Sequence, residues 1–151
     1  MKSQKKIKMK NPEVVMIGLG YIGLPTAALI ASGGTSVHGV DINQTVVDTI
    51  NAGKIHIVEP SLDEAVAGAV EKGFLKAATK PVEANNYLIV VPTPFKGKNE
   101  PDISFVEAAT RAILPLLKEG DLYIIESTSP IGTTEKMMNL IYGERSELKD
   151  K

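Results

Sequence analysis

The stretch VVMIGLGYIG, residues 14–23, limits the possible folds of this chain more than any other. Four apolar residues run straight into glycines at 18, 20 and 23. So short and continuous an apolar run predicts a strand buried on both faces, which is the habit of parallel sheets. The G-x-G-x-x-G spacing then predicts a tight turn that opens a helix. In a phosphate-binding reading each glycine has its own task. Gly18 allows the turn, Gly20 lets the backbone approach a pyrophosphate, and Gly23 permits close helix packing. The helix N-terminus adds free N–H groups and a partial positive charge.

Apolar runs and helical patterns alternate along the rest of the chain. Strands are predicted over 14–18, 37–40, 75–79, 87–91 and 122–126, and helices over 21–32, 43–51, from Ser61 to Gly73, 104–118 and from Ser129 to about 142. Ser61/Glu64 and Ser104/Glu107 have capping-box spacing, and Ser129-Pro130 reads as an N-cap followed by a first-turn proline. Residues 54–60, KIHIVEP, read as a loop, as does the proline-broken stretch from 92 to 101. The pattern calls for an α/β fold of Rossmann type: a doubly wound parallel sheet of about five strands with helices on both faces. The expected organisation is a basic flexible tail over 1–12, one domain over 13–142 and a polar tail over 143–151.

The second predicted strand ends in HGVD. This places Asp41 18 residues after Gly23, near the spacing of about 20 expected for an acid that binds adenosine ribose hydroxyls. A carboxylate there accepts hydrogen bonds from both hydroxyls of NAD and repels the extra phosphate of NADP. The first arginine in the chain is Arg111, so no arginine stands near to receive that phosphate. NAD is therefore the expected cofactor. Two other readings stay open: a glycine turn serving another ligand, since flavin and S-adenosylmethionine proteins use related loops, and Asp41 as a cap for the helix beginning near Asn43.

Other features exclude or restrain. The 151 residues carry 43% hydrophobic and 23% charged residues with a net charge of -1, as in a globular domain with no electrostatic case for nucleic acid. There is no cysteine, hence no disulfide, thiolate metal site or thiol nucleophile, and a cytoplasmic setting is expected. No apolar run approaches the ~20 residues of a membrane span, and the lysine-rich start lacks the apolar core of a secretory signal. His38 reads as a packing residue, and neither it nor His56 suggests a metal site.

Ligands of open parallel sheets lie beyond the carboxyl ends of the strands. At the fourth strand end Thr93 is held between Pro92 and Pro94, either as a cofactor contact or as a simple strand exit. At the fifth, ESTSPIGTT gathers Glu126, Thr128 and Thr134 with further hydroxyls. That is more hydroxyls than a helix cap requires.

The motifs VVMIGLGYIGLPTA, GVDIN, KIHIVEPSLDEAV, VPTPFKG, EPDISFVE and ESTSPIGTTEKM, in this order, resemble the UDP-glucose/GDP-mannose dehydrogenase family over residues 13 to 140. The resemblance implies oxidation of the primary alcohol of a nucleotide sugar to a carboxylate with two NAD molecules in succession, UDP-N-acetylmannosamine being the expected sugar nucleotide. It implies an amino-terminal NAD-binding domain, followed by a helical middle and a carboxy-terminal domain that complete the substrate site and the dimer. By position it implies cofactor contacts at Tyr21, Ile22, Asp41, Thr93 and Thr134, and a supporting catalytic role for Thr128. The family's cysteine, lysine and asparagine belong to a downstream region without counterpart here. The expectation is thus a fragment or truncated product that binds NAD, turns over no UDP-sugar without those domains, and self-associates weakly through an uncovered apolar patch. A stand-alone NAD-binding regulatory or interaction module is the alternative.

Overall fold

The computed structural model describes residues 11–151, so the expected basic tail lies outside the described residues except for Asn11 and Pro12. Five parallel strands form the sheet: β1 (Val14–Ile17), β2 (Val37–Val40), β3 (Leu75–Ala78), β4 (Asn86–Ile89) and β7 (Leu122–Ile125). Their spatial order is β3-β2-β1-β4-β7, with Val14 beside Val37 on one side and Asn86 on the other. The expected Rossmann architecture is therefore the observed one.

The period of two in β1 builds both layers of the core. Val14 and Met16 pack with Leu24, Ala28 and Ala31 of α1 (Gly23–Ser32), Val47 and Ile50 of α2 (Gln44–Asn51), and Val66 of α3 (Leu62–Glu71). Val15 and Ile17 face the other way, toward Val106 and Ile113 of α4 (Ser104–Ile113) and Met137 and Ile141 of α5 (Thr133–Glu144). Tyr87 of β4 is fully buried in this second layer. Its hydroxyl accepts the Ala84 N–H at 3.0 Å, which satisfies the polar tip of a large core side chain. His38 is half-buried, its Nε2 3.0 Å from the Lys80 carbonyl, and burial lowers its pKa from the ordinary value. It packs in β2, as expected.

Several local expectations need correction. Ser61 does not cap α3 through its side chain; it sits at φ 61°, left-handed, with no capping hydrogen bond. Before α4 the Ser104 N–H is taken by Asp102 Oδ1 at 2.9 Å, so the capping acid lies two residues upstream of the predicted serine. Helix α4 stops at Ile113 and passes into a 3-10 turn over Leu114–Leu116, because Pro115 cannot donate a helical N–H. Helix α5 starts at Thr133 after Gly132 at φ 89°, and Ser129-Pro130 lies in the loop before it. Part of the proline-broken loop forms a small antiparallel hairpin, β5 (Phe95–Lys96) with β6 (Glu100–Pro101).

The stretch 143–151 is not merely a polar tail. Leu148 is buried in the second core layer, and Arg145 donates to the carbonyls of Leu114 and Leu117 at 2.6 and 3.1 Å. A guanidinium placed there satisfies carbonyls at the end of α4 that have no helical partner.

The left-handed Ser61 gives a stability test. Left-handed backbone costs an L-residue about 1–2 kcal/mol, partly offset for glycine by its freer unfolded chain. Ser61→Gly is expected to stabilise the fold by about 0.5–1 kcal/mol in denaturant unfolding. A loss of stability would show that the serine hydroxyl holds the loop.

Candidate functional site

The chain leaves β1 toward β2 and β3 on one side, then returns to place β4 on the other. That reversal opens a crevice beyond the carboxyl ends of β1 and β4. The glycine loop forms its floor. Gly18 lies at φ 101° and donates its N–H to the Val40 carbonyl at 2.8 Å. A Cβ on Gly18 would stand 2.0 Å from the Val90 carbonyl oxygen, and one on Gly23 would stand 1.9 Å from the Gly18 oxygen. These two glycines are therefore demanded by the fold itself. Gly20 is different: a Cβ there would meet no protein atom within 4 Å. Nothing inside the protein requires glycine at position 20, so the requirement, where it exists, comes from what enters the crevice.

Leu19, between the first two glycines, is fully buried and anchors the loop. A Cβ on Gly39 in β2 would collide with its side chain at 2.8 Å. The HGVD segment thus carries a second signal beside its acid, a glycine inside a strand that marks a close approach.

Asp41 closes one end of the crevice. Its Oδ2 accepts the Leu19 N–H at 3.3 Å and its Oδ1 accepts the Asn43 N–H at 2.9 Å. The cap of α2 itself is Asn43, which accepts from Thr45 N–H at 3.0 Å. A carboxylate has about four acceptor sites, so two backbone bonds leave capacity for ligand hydroxyls.

The other end is built by the exits of β4 and β7. Ser127 stitches them together: its Oγ accepts the Val91 N–H at 2.9 Å and lies 2.8 Å from the Val91 carbonyl. Thr93 donates to the Thr128 carbonyl at 2.5 Å. Thr26, on the first turn of α1, donates to Glu126 Oε1 at 3.1 Å. The result is a cleft of about 510 Å³, within the usual size of ligand pockets. It brings together Gly18, Gly20, Tyr21, Ile22, Asp41, Thr93, Glu126 and Thr128. Gly23 lies beneath the loop, against Gly18. Thr134 is not among the residues lining this cleft; it is exposed on the first turn of α5.

The charged side chains that line the cleft are both acidic, Asp41 and Glu126. Among the described residues no Lys or Arg lines it. Positive potential comes from α1, whose first turn carries no acidic side chain. Backbone N–H groups at the loop and the open space at Gly20 fit a pyrophosphate, and the remaining acceptor capacity of Asp41 fits a ribose diol.

A family model described as the UDP-glucose/GDP-mannose dehydrogenase family, NAD binding domain, matches residues 12–151. The chain belongs to this family. It is an NAD-binding domain of the family. The chain is 61% identical over 140 residues to the UDP-N-acetyl-D-mannosamine dehydrogenase of Salmonella typhi, covering 93% of this chain and 33% of that protein. It is 58% identical over 137 residues to that of Campylobacter jejuni, covering 90% and 34%. Among solved structures, the UDP-N-acetyl-mannosamine dehydrogenase of Staphylococcus aureus superposes with a TM-score of 0.84 at 38% identity, over 88% of this chain and 33% of that one. The GDP-mannose dehydrogenase of Pseudomonas aeruginosa, solved as a ternary complex, gives 0.81 at 29% identity, over 87% and 32%. The chain thus spans about a third of the length of the relatives it matches. Among the described residues no helix is long and apolar enough to cross a membrane.

Proposed function

We propose that this domain holds NAD for the oxidation of a nucleotide sugar's primary alcohol to a carboxylate, with UDP-N-acetylmannosamine as the substrate. Gly20, which lines the cleft and where an added Cβ would meet no protein atom within 4 Å, carries the binding part of the proposal. The substrate follows from the names borne by relatives identical at about six residues in ten. In this reading Gly18, Gly20 and Gly23 shape the phosphate cradle, Asp41 binds the adenosine ribose, and Tyr21, Ile22 and Thr93 flank the cofactor. Thr134 is retained as a cofactor contact on resemblance alone, and Thr128 as a residue supporting the reaction. Bound NAD supplies a hydride acceptor; the chain's own residues orient it.

Passing from aldehyde to acid by a covalent route needs a nucleophile such as a thiol, and this chain has no cysteine. Large apolar side chains stand exposed around the carboxyl rim of the sheet: Tyr21, Ile22, Ile42, Val58, Phe95 and Ile131. Such a rim fits a site finished by further protein, a middle and a carboxy-terminal domain in this reading. Alone, the domain is expected to bind NAD and to form no NADH from UDP-N-acetylmannosamine. Calorimetric titration and absorbance of NADH test both halves. Absence of NAD binding at millimolar concentration would overturn the cofactor assignment, and turnover by the isolated chain would overturn its proposed dependence on other domains.

A further inference from the structure

Two carboxylates line the cleft, and they stand at opposite ends. Asp41 follows β2, whereas Glu126 follows β7, and the glycine loop lies between them. A dinucleotide whose adenosine ribose sits at Asp41 and whose pyrophosphate sits at the loop must extend its second nucleoside toward the β4 and β7 exits. Glu126 therefore belongs to the nicotinamide half. Its carboxylate is held by the Thr26 hydroxyl at 3.1 Å, and no ion pair engages it among the described residues. With no Lys or Arg lining the cleft, the cationic ring of the oxidised cofactor is the full positive charge that a bound dinucleotide brings to this end.

We infer that Glu126, positioned by Thr26, makes the domain discriminate between the oxidation states of its cofactor, favouring NAD+ over NADH. The inference rests on the NAD-binding reading of the cleft. Its electrostatics are simple. The pyrophosphate carries the same charge in both forms, so repulsion between it and Glu126 cancels when the two affinities are compared. The ring is positive in NAD+ and neutral in NADH, so attraction to the carboxylate does not cancel. The ratio of dissociation constants, NADH over NAD+, isolates the effect. A bias of this direction favours uptake of the oxidant and release of the reduced product.

The test is calorimetric or fluorescence titration of both forms into the wild type, Glu126→Gln and Thr26→Val, with thermal melts to verify folding. Glu126→Gln is expected to lower the NADH/NAD+ ratio about three- to fivefold at low ionic strength, the scale of a partly exposed charge pair. Thr26→Val frees the carboxylate and is expected to lower the ratio by a smaller factor. The wild type gives an arm that needs no variant: its ratio should fall between about 20 mM and about 0.5 M salt, because screening weakens the ring attraction. A ratio unchanged by Glu126→Gln, with both affinities lost in parallel, would assign Glu126 to a ribose contact and overturn the inference. A salt-independent wild-type ratio would do the same. If neither form binds the wild type, the reading of the cleft fails instead, and the outcomes are distinct.

Discussion

Gly23→Ala and Gly18→Ala are expected to cost about 3 kcal/mol or more of stability each, whereas Gly20→Ala leaves the fold intact and weakens NAD binding. The reason lies in what each added methyl meets. At 23 and 18 it would lie 1.9 and 2.0 Å from backbone carbonyl oxygens, which cannot rotate away as a flexible side chain can. At 18 the left-handed φ of 101° adds strain. Losses of that size are a large share of the 5–15 kcal/mol typical of a domain, so a lowering of the melting temperature by roughly 10 °C or outright loss of folded protein is expected. At 20, a residue that lines the cleft, the methyl meets no protein atom within 4 Å. A cofactor whose pyrophosphate approaches that backbone must move outward, and an affinity loss of about tenfold or more follows if one charge-assisted hydrogen bond is lost. Thermal melts and calorimetric titration on the three variants separate the roles. Equal destabilisation by all three, or undiminished NAD binding by Gly20→Ala, would remove the distinction.

Asp41→Ala is expected to weaken NAD binding about 10- to 100-fold and to narrow the preference for NAD over NADP. Hydrogen bonds to a charged acceptor contribute about 1.5–3 kcal/mol, which sets that range. NADP should lose little, since its ribose phosphate is repelled by the same carboxylate. The substitution also leaves the N–H groups of Leu19 and Asn43 without their acceptor, so a modest fall in stability accompanies it. Asp41→Asn separates the two contributions: the amide oxygen retains one acceptor while the charge is gone. Parallel titrations with NAD and NADP read the result. An unchanged preference between them would show that Asp41 serves only the loop and α2.

The glycine motif, the acid and the alternation of strands and helices were legible in the sequence because each rests on local patterns of apolar and turn residues. VVMI had to be buried on both faces, and the register of β1 between β2 and β4 agrees. Helix starts were harder. Ser61, Ser104 and Ser129 each had the composition of a cap, yet local hydrogen bonds compete. Asp102 took the N–H meant for Ser104's helix, and a turn in which Thr133 donates to the Pro130 carbonyl at 2.7 Å delayed α5. The packed end of the chain escaped notice because ERSELK reads as polar, and only the fold reveals that Leu148 meets the core and that Arg145 reaches carbonyls some 30 positions earlier. At the site, Glu126 was visible as a residue but not as a partner of Thr26, since 100 positions separate them.

The double engagement of Asp41 has an evolutionary consequence. Removing the acid would relieve its repulsion of a ribose phosphate, but here the acid also fastens the cradle to the start of α2. On the proposed reading, the first step toward NADP would lose loop geometry before any new phosphate contact existed. The easier path begins next door, at Ile42, which is 92% exposed and can be exchanged for a cation without disturbing the core. On that reading specificity is guarded by architecture: removing the side chain that chooses the cofactor also frees the N–H groups of Leu19 and Asn43.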